Sequence, residues 1–290
     1  MKKRLFLLTA IIMICVVAGC SKESGNDKNS NQTTEKTTKK REKVMVDELR
    51  IPNGEREVYG KLYYPETEGK YPAIIMCHGY NGSNADFIKE CKYFAKHGYV
   101  AFSLDFCGGS TRSLSSGKST DMTIFTEKED LLAVFDYILT LPQVDPENVY
   151  MFGGSQGGLV AALAAEERVE KVKGLALYFP AFNIPDNWRG NFAKEEDIPA
   201  TYDFWGLTLG RNFFVSMRDF YTFDNIGKFD KKVLIVQGDN DAIVPVDSSR
   251  RAVEIYKDAK MEVLTGEGHG FSPTGAGKAM KMVLDFMDGK

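Results

Sequence analysis

A serine enclosed by glycines, Gly153-Gly154-Ser155-Gln156-Gly157-Gly158, stands between an apolar run, Val149–Gly153, and an alanine-rich run, Gln156–Glu166. The first reads as a buried strand and the second as a helix. A serine on so sharp a strand-to-helix turn is lifted clear of the sheet, and the glycines let strand and helix approach closely. Its hydroxyl attacks a carbonyl carbon only when a base takes its proton. Three histidines are available. His97 closes a helical stretch, Asp86–Lys96, and reads as a helix C-terminal residue. His78 directly follows the apolar run Ala73–Cys77, in the loop His78-Gly79-Tyr80-Asn81-Gly82, away from the serine's hydroxyl. His269 lies in Gly266-Glu267-Gly268-His269-Gly270-Phe271, a glycine-rich loop late in the chain. Elimination and the order serine, acid, histidine both select His269 as the base.

An imidazole base needs a carboxylate to fix its tautomer and stabilise its charged form. The turn Gly238-Asp239-Asn240-Asp241-Ala242-Ile243-Val244-Pro245 offers Asp239 and Asp241, one of which can instead hold the turn through backbone amides. The oxyanion formed on attack needs donors as well. The backbone amide of Gln156, at the start of the helix after the serine, is one. The amide of Tyr80, in the loop after Ala73–Cys77, is expected to be the other.

The elements that must carry these groups follow from the pattern of apolar runs. Val44–Ile51 and Val58–Tyr64 read as two strands joined at Pro52-Asn53-Gly54. Ala73–Cys77, Tyr99–Phe106, Val149–Gly153, Val172–Phe179, Lys232–Gln237 and Met261–Thr265 read as strands, and most lack polar alternation. Strands of that kind are buried on both faces, as in a parallel sheet flanked by helices. Helices are expected over Asp86–Lys96, from a capping box at Thr126-Glu127-Lys128-Glu129 to about Leu141, over Gln156–Glu166, Ser248–Asp258 and Ala276–Met287. The fold class is therefore α/β, a doubly wound, mostly parallel sheet with an antiparallel start. Residues 181–230 are too long for a simple crossover and are dense in aromatics, including both tryptophans of the chain. They read as a small inserted cap, with Trp188, Phe204, Trp205, Phe213 and Phe214 as candidate substrate contacts.

The N-terminus carries a different message. Lys2-Lys3-Arg4 precedes a largely apolar run, Leu5–Ala18, too short for a typical membrane span and of signal-peptide length. Residues 21–43 contain no aromatic or aliphatic side chain and read as a disordered tether. The remaining 44–290 hold 27 basic and 36 acidic residues, an acidic domain unsuited to nucleic acid. Cys77, Cys91 and Cys107 are three cysteines in that domain, which implies buried thiols and no disulfide framework. No metal-ligand spacing appears, and no cofactor is called for.

The sequence Val17-Ala18-Gly19-Cys20 resembles a bacterial lipobox. That resemblance implies a signal peptide over 1–19, lipidation of Cys20, a tether over 20–43, and a catalytic domain over 44–290 held at the outer face of a cell membrane. The domain itself resembles the α/β-hydrolase superfamily, and within it the bacterial cinnamoyl (feruloyl) esterases and dienelactone-hydrolase-like proteins. The matching stretches are Cys77-His78-Gly79-Tyr80, Leu104-Asp105-Phe106, Gly153–Gly158, Gly238–Pro245 and Gly268-His269-Gly270-Phe271. The resemblance implies Asp241 as the acid and the amides of Tyr80 and Gln156 as the oxyanion hole. Leu207-Thr208-Leu209-Gly210 and Phe213-Phe214 resemble the cap of the feruloyl esterases. It implies a serine carboxylic ester hydrolase for aryl or short to medium acyl esters. A peptidase, thioesterase or lysophospholipase would use the same triad, and a lipoprotein binding module would need none of it.

Overall fold

The computed structural model of the protein describes residues 43–290. The predicted signal peptide, Cys20 and nearly all of the tether lie outside the described residues. The chain begins with an antiparallel hairpin, β1 (Val44–Asn53) and β2 (Arg56–Pro65). The expected turn at Pro52-Asn53-Gly54 is shifted: pairing continues to Asn53 and Arg56, and Gly54, at φ 60°, turns the chain with Glu55. Pro52 is tolerated inside the ladder because β1 is an edge strand.

The elements β3 (Tyr71–Cys77), α1 (Ile88–Ala95), β4 (Val100–Leu104), α2 (Ile124–Ile138), β5 (Val144–Gly154), α3 (Gln156–Glu167) and β6 (Val172–Tyr178) then alternate. An excursion follows, with α4 (Ile184–Asn191), the hairpin β7 (Thr201–Phe204) and β8 (Leu207–Gly210), and α5 (Arg211–Val215). The chain closes with β9 (Val233–Gly238), α6 (Val246–Ile255), β10 (Ala259–Leu264) and α7 (Pro273–Met287). Eight strands form one sheet in the order β1-β2-β4-β3-β5-β6-β9-β10. β1, β2 and β4 pair antiparallel, and every later pairing is parallel. This is the α/β-hydrolase fold.

Burial explains why these runs are strands. Every residue of β4 and β9 is buried, so each strand feeds two cores. Along β3, Ala73, Ile75 and Cys77 face one core with residues of α2, α3 and α6; Ile74 and Met76 face the other with α1 and α7. Cys77, Cys91 and Cys107 are free and buried, as expected. One helix start differs from expectation. α2 begins at Ile124, and Thr123, not Thr126, is its N-cap; Thr123 Oγ1 accepts from the Thr126 amide at 3.0 Å and Thr126 Oγ1 from the Thr123 amide at 2.8 Å. The extra turn buries Ile124 completely, which outweighs the better capping chemistry of a glutamate three residues after Thr126.

Chain order reverses between β3 and β5. β3 is followed in space by β4 on one side, and β5 returns on the other. Loops leaving the carboxyl ends of such neighbouring strands diverge and leave a crevice. Those two loops are His78–Ser83 and the turn at Ser155.

The approach of α3 to that crevice depends on glycine. A Cβ at Gly157 would lie 2.3 Å from the His78 carbonyl oxygen and 2.5 Å from that of Cys77. At Gly277, exposed inside α7, a Cβ would meet nothing within 4 Å. Gly157→Ala is expected to cost on the order of 1–3 kcal/mol through overpacking, lowering the melting temperature by several degrees. Gly277→Ala is expected to raise stability by up to about 1 kcal/mol through helix propensity. Thermal unfolding of the two variants beside the parent checks the opposite signs.

Candidate active site

Ser155 adopts φ 53°, ψ −121° at the junction of β5 and α3. This is a sparsely populated conformation for a residue with a side chain, held only when the surroundings over-determine it. They do. The Ser155 amide donates to the Tyr178 carbonyl at 2.9 Å, tying the turn to β6. Its carbonyl accepts from Gly158 at 2.9 Å, Leu159 at 3.3 Å and Ala181 at 2.9 Å.

The Ser155 Oγ lies 3.0 Å from Nε2 of His269, and Nδ1 of the same ring lies 2.9 Å from Oδ2 of Asp241. The Asp241 side chain is fully buried. Its Oδ1 accepts from the amides of Ile243 and Val244, both at 2.9 Å, and its Oδ2 also receives Gln237 Nε2 at 3.3 Å. A carboxylate so supplied with donors is an acceptor for the imidazole, so Nδ1 carries the proton and Nε2 is free to take one from the serine. Asp239, the other acid of the turn, points elsewhere: its Oδ1 accepts from the Gly266 amide at 2.6 Å. It thereby fastens the β9 turn to the loop bearing His269. That loop is further held by Glu267, whose carboxylate accepts from both the amide and the hydroxyl of Ser272 at 2.6 Å. Those bonds lower the Glu267 pKa.

The loop expected to hold the oxyanion is fixed by His78. The ring is 1% exposed; its Nε2 accepts from the Phe106 amide at 3.1 Å, so Nδ1 donates to the Gly79 carbonyl at 2.7 Å. Burial lowers its pKa, which keeps this neutral tautomer. A Cβ on Gly79 would lie 3.1 Å from that of Ser155, so the loop rests directly on the serine. Among the described residues, the amides of Tyr80 and Gln156 donate to no backbone or side-chain acceptor, and both residues border the cavity at Ser155. Two unengaged amides beside a serine, at the start of a helix, are suited to an oxyanion. His97 lies at the end of α1, with Nδ1 2.7 Å from the Tyr93 carbonyl, far from this chemistry in both role and surroundings.

The excursion between β6 and β9 closes over this crevice. Its hairpin is tied to the oxyanion loop: the Tyr80 hydroxyl donates to the Phe204 carbonyl at 2.7 Å, and Asn81 Nδ2 to that of Trp205 at 3.1 Å. Beneath it lies a cavity of about 140 Å3, lined by Ser155, Tyr80 and Gln156 on one side and by Ile184, Trp188, Phe204, Trp205 and Phe213 on the other. Phe214, expected among the substrate contacts, is not part of this wall. It is 2% exposed and packs against Trp188, Phe192, Tyr202 and Phe213 in the excursion's own core. Neighbouring residues on a short helix point in different directions, and only Phe213 faces the cavity.

Two buried acids of this region were missed in the sequence. Glu127 of α2 is 1% exposed and accepts from Gln156 Nε2 at 2.9 Å, which orients the residue whose amide faces the serine. Burial pushes its pKa well above the usual carboxylate range. Glu90 of α1 is 7% exposed and lines a second hollow beside Ser155 and His269. The available signal was an acid within an apolar helical stripe: Glu90 lies three residues after Phe87 and four before Phe94, both buried.

Known proteins carry the same architecture. The acetyl xylan esterase (AXE1) family matches residues 26–129. A putative carboxymethylenebutenolidase from Synechocystis sp. is 31% identical over 163 residues, which cover 52% of this chain and 63% of that protein. The acetyl esterase Axe7A of Xylanibacter ruminicola is 26% identical over 141 residues, 40% of this chain and 31% of that protein. The chain thus spans less than two thirds of the length of these curated relatives. Among solved structures, Est1E from Butyrivibrio proteoclasticus with ferulic acid bound is 28% identical, with a TM-score of 0.76 over 83% of this chain and 100% of that one. The prolyl oligopeptidase family matches residues 84–290, most of the chain and all of the residues that form the Ser155–His269–Asp241 array. With that match added to the fold and the geometry of the crevice, the chain belongs to the prolyl oligopeptidase family.

Proposed function

We propose that the protein is a serine-dependent carboxylic ester hydrolase. The observation that carries this reading is the continuous array from Ser155 Oγ through His269 to Asp241, at 3.0 and 2.9 Å, with the amides of Tyr80 and Gln156 beside it. Ser155 attacks the ester carbonyl while His269 Nε2 takes its proton. Negative charge gathers on the carbonyl oxygen between the two amides, and Asp241 stabilises the imidazolium. His269 returns the proton to the departing alcohol oxygen, and an acyl-serine remains. Water, activated by the same histidine, releases the acid and restores Ser155.

The acyl half lies under the cap. A cavity of about 140 Å3 with apolar walls suits a short to medium chain or a single aromatic ring; engineered cavities of about 150 Å3 admit benzene. The relatives named as esterases, and the ferulic acid bound to Est1E, support an ester over other acyl compounds and an aryl acyl group among the candidates. The family name raises a second reading, a peptidase. The small volume of the acyl cavity favours the ester, because a polypeptide would need a longer groove on that side.

We further propose that the protein is a lipoprotein anchored through Cys20 on the extracytoplasmic face of a cell membrane, with 21–43 as its tether. This rests on the basic start, the apolar run Leu5–Ala18 and the Val17-Ala18-Gly19-Cys20 sequence. No helix of the described residues is long and apolar enough to cross a membrane.

Two experiments follow. Purified protein is expected to hydrolyse p-nitrophenyl acetate, p-nitrophenyl butyrate and methyl ferulate and to be labelled by a fluorophosphonate. Ser155→Ala should abolish labelling and lower kcat by roughly 10^4–10^6-fold, and Asp241→Asn should lower it by roughly 10^4-fold by favouring the wrong imidazole tautomer. Labelling of Ser155→Ala at the parent level removes the nucleophile assignment, and turnover of prolyl peptides with no ester turnover selects the peptidase. For the anchor, Cys20→Ser should move the protein from the membrane fraction to the soluble fraction; an unchanged distribution rejects lipidation at that residue.

A further inference from the structure

The turn of the cap hairpin is strained, and it is held from outside. Trp205 and Gly206, the two residues between β7 and β8, both have positive φ, 41° and 78°. Glycine adopts this conformation freely, whereas for a bulky aromatic residue it is an outlier. Such a residue persists only when its surroundings over-determine it. Burial does little of that here: Trp205 is 62% exposed, and its ring rests on Phe204, stacked at a centroid distance of 4.6 Å. Beyond the turn, β8 is anchored by the buried side chains of Leu207 and Leu209. Among the described residues, the hydrogen bonds that reach the turn from outside the hairpin come from two neighbours. The Tyr80 hydroxyl donates to the Phe204 carbonyl at 2.7 Å and Asn81 Nδ2 to the Trp205 carbonyl at 3.1 Å.

Asn81 has φ 51°, a conformation that asparagine tolerates better than most residues. It is fixed independently of the cap. Its carbonyl accepts from Ser110 Oγ at 3.3 Å, and its Oδ1 accepts from the Thr111 amide at 3.0 Å. Its Nδ2, besides reaching the Trp205 carbonyl, lies 3.6 Å from where a Cβ on Gly206 would stand. The two ends of the side chain cannot be exchanged, because the Thr111 amide needs an acceptor and the Trp205 carbonyl a donor. A relay thus runs from the loop after β4, through one side-chain amide, to the strained turn. Tyr80 makes the companion bond, but its ring borders the cavity under the cap as well. Asn81 borders neither of the hollows at Ser155, whereas Trp205 borders both. Any influence of Asn81 on the reaction therefore passes through other residues.

We propose that Asn81 is a positioning residue for acyl selectivity: by bonding the Thr111 amide and the Trp205 carbonyl at once, it holds the indole of Trp205 as a wall of the acyl cavity. The inference rests on the ester hydrolase reading above, in which the acyl half lies under the cap. The loop holds the turn, and not the reverse. Without the cap, the loop His78–Ser83 keeps both bonds of the His78 ring, the bond from the Gly82 amide to the Gly79 carbonyl at 3.0 Å and the bond from Thr111. Without the loop, the turn keeps only the hairpin's own pairing and the packing of Phe204. An acyl chain of several carbons reaches the indole and binds less well once the turn is free to shift. An acetyl group has one carbon beyond the ester carbonyl and depends on that wall little.

The test compares p-nitrophenyl butyrate with p-nitrophenyl acetate, which share a leaving group, so that any contact of that group with Trp205 cancels in the ratio. Asn81→Asp keeps the acceptor for Thr111 and sets a carboxylate oxygen against the Trp205 carbonyl. It is expected to lower the butyrate-to-acetate ratio of kcat/KM by roughly tenfold, mainly through a higher KM for butyrate. Asn81→Gly, which suits the positive φ and removes both side-chain bonds, should lower the ratio as well, and it serves where the aspartate variant folds poorly. Trp205→Ala should lower the ratio to a similar extent. Adding Asn81→Asp to Trp205→Ala should then change it little further, because the two residues act through one contact. Equal loss on both esters, with the ratio intact, overturns the assignment. So does a full effect of Asn81→Asp in the absence of the indole, or a ratio that ignores Trp205→Ala. Each of these results leaves the hydrolase reading standing. No turnover of either ester by folded parent protein removes that reading, and the role of Asn81 with it.

Discussion

The backbone of Ser155 is the constraint on which the molecule's chemistry rests. At φ 53°, ψ −121° the residue occupies a conformation that costs on the order of 1–3 kcal/mol. The cost is offset by a β5–β6 hydrogen bond on one side and three bonds to its carbonyl on the other. It also requires α3 to start almost in contact with the end of β3, where only a glycine at 157 fits. From this one turn follow the exposure of the hydroxyl, the direction of the Gln156 amide and the proximity of the Gly79–Tyr80 loop.

The partners of the serine are held by a different device. His269 and Asp241 are on loops, and loops hold catalytic geometry only when tied down. Here the ties are short polar bonds: Asp239 to the Gly266 amide, Glu267 to Ser272, and Asp241 to two amides of its own turn. The carboxylates therefore divide the work. One faces the imidazole of His269, and the others tie down its loop. On the serine's other side, Glu127 orients Gln156 and His78 braces the oxyanion loop, both from fully buried positions.

The excursion after β6 gives the crevice its two sides. Through Tyr80 and Asn81 the hairpin is bonded to the same loop that would bind the oxyanion, so the proposed acyl cavity and the proposed oxyanion site share one support. On the opposite side the hollow bordered by Glu90, Tyr178 and His269 is built mostly from the domain's core elements, with Trp205 of the hairpin lining both.

Much of this was legible in the sequence. Ser155 and His269 are marked by local glycine patterns and chain order, and the buried strands by their lack of polar alternation. Local chemistry could not choose between Asp239 and Asp241, since both sit in one turn; resemblance pointed to Asp241, and the folded loop shows which one faces the imidazole. Nor could it place the start of α2, where burial of Ile124 overrode the stronger capping signal, or tell Phe213 from Phe214. Those outcomes depend on which side of a helix meets the core. Glu90 is the clearest case. In the sequence it is one charged residue on a helix, and only the packing of α1 against β2 and β4 leaves it buried at the edge of a hollow that Ser155 and His269 also line. The sequence by itself determined which residues could react, because that follows from their chemical type and immediate neighbours. The tertiary structure alone decided what surrounds the reacting atoms, because those walls come from segments far apart in the chain.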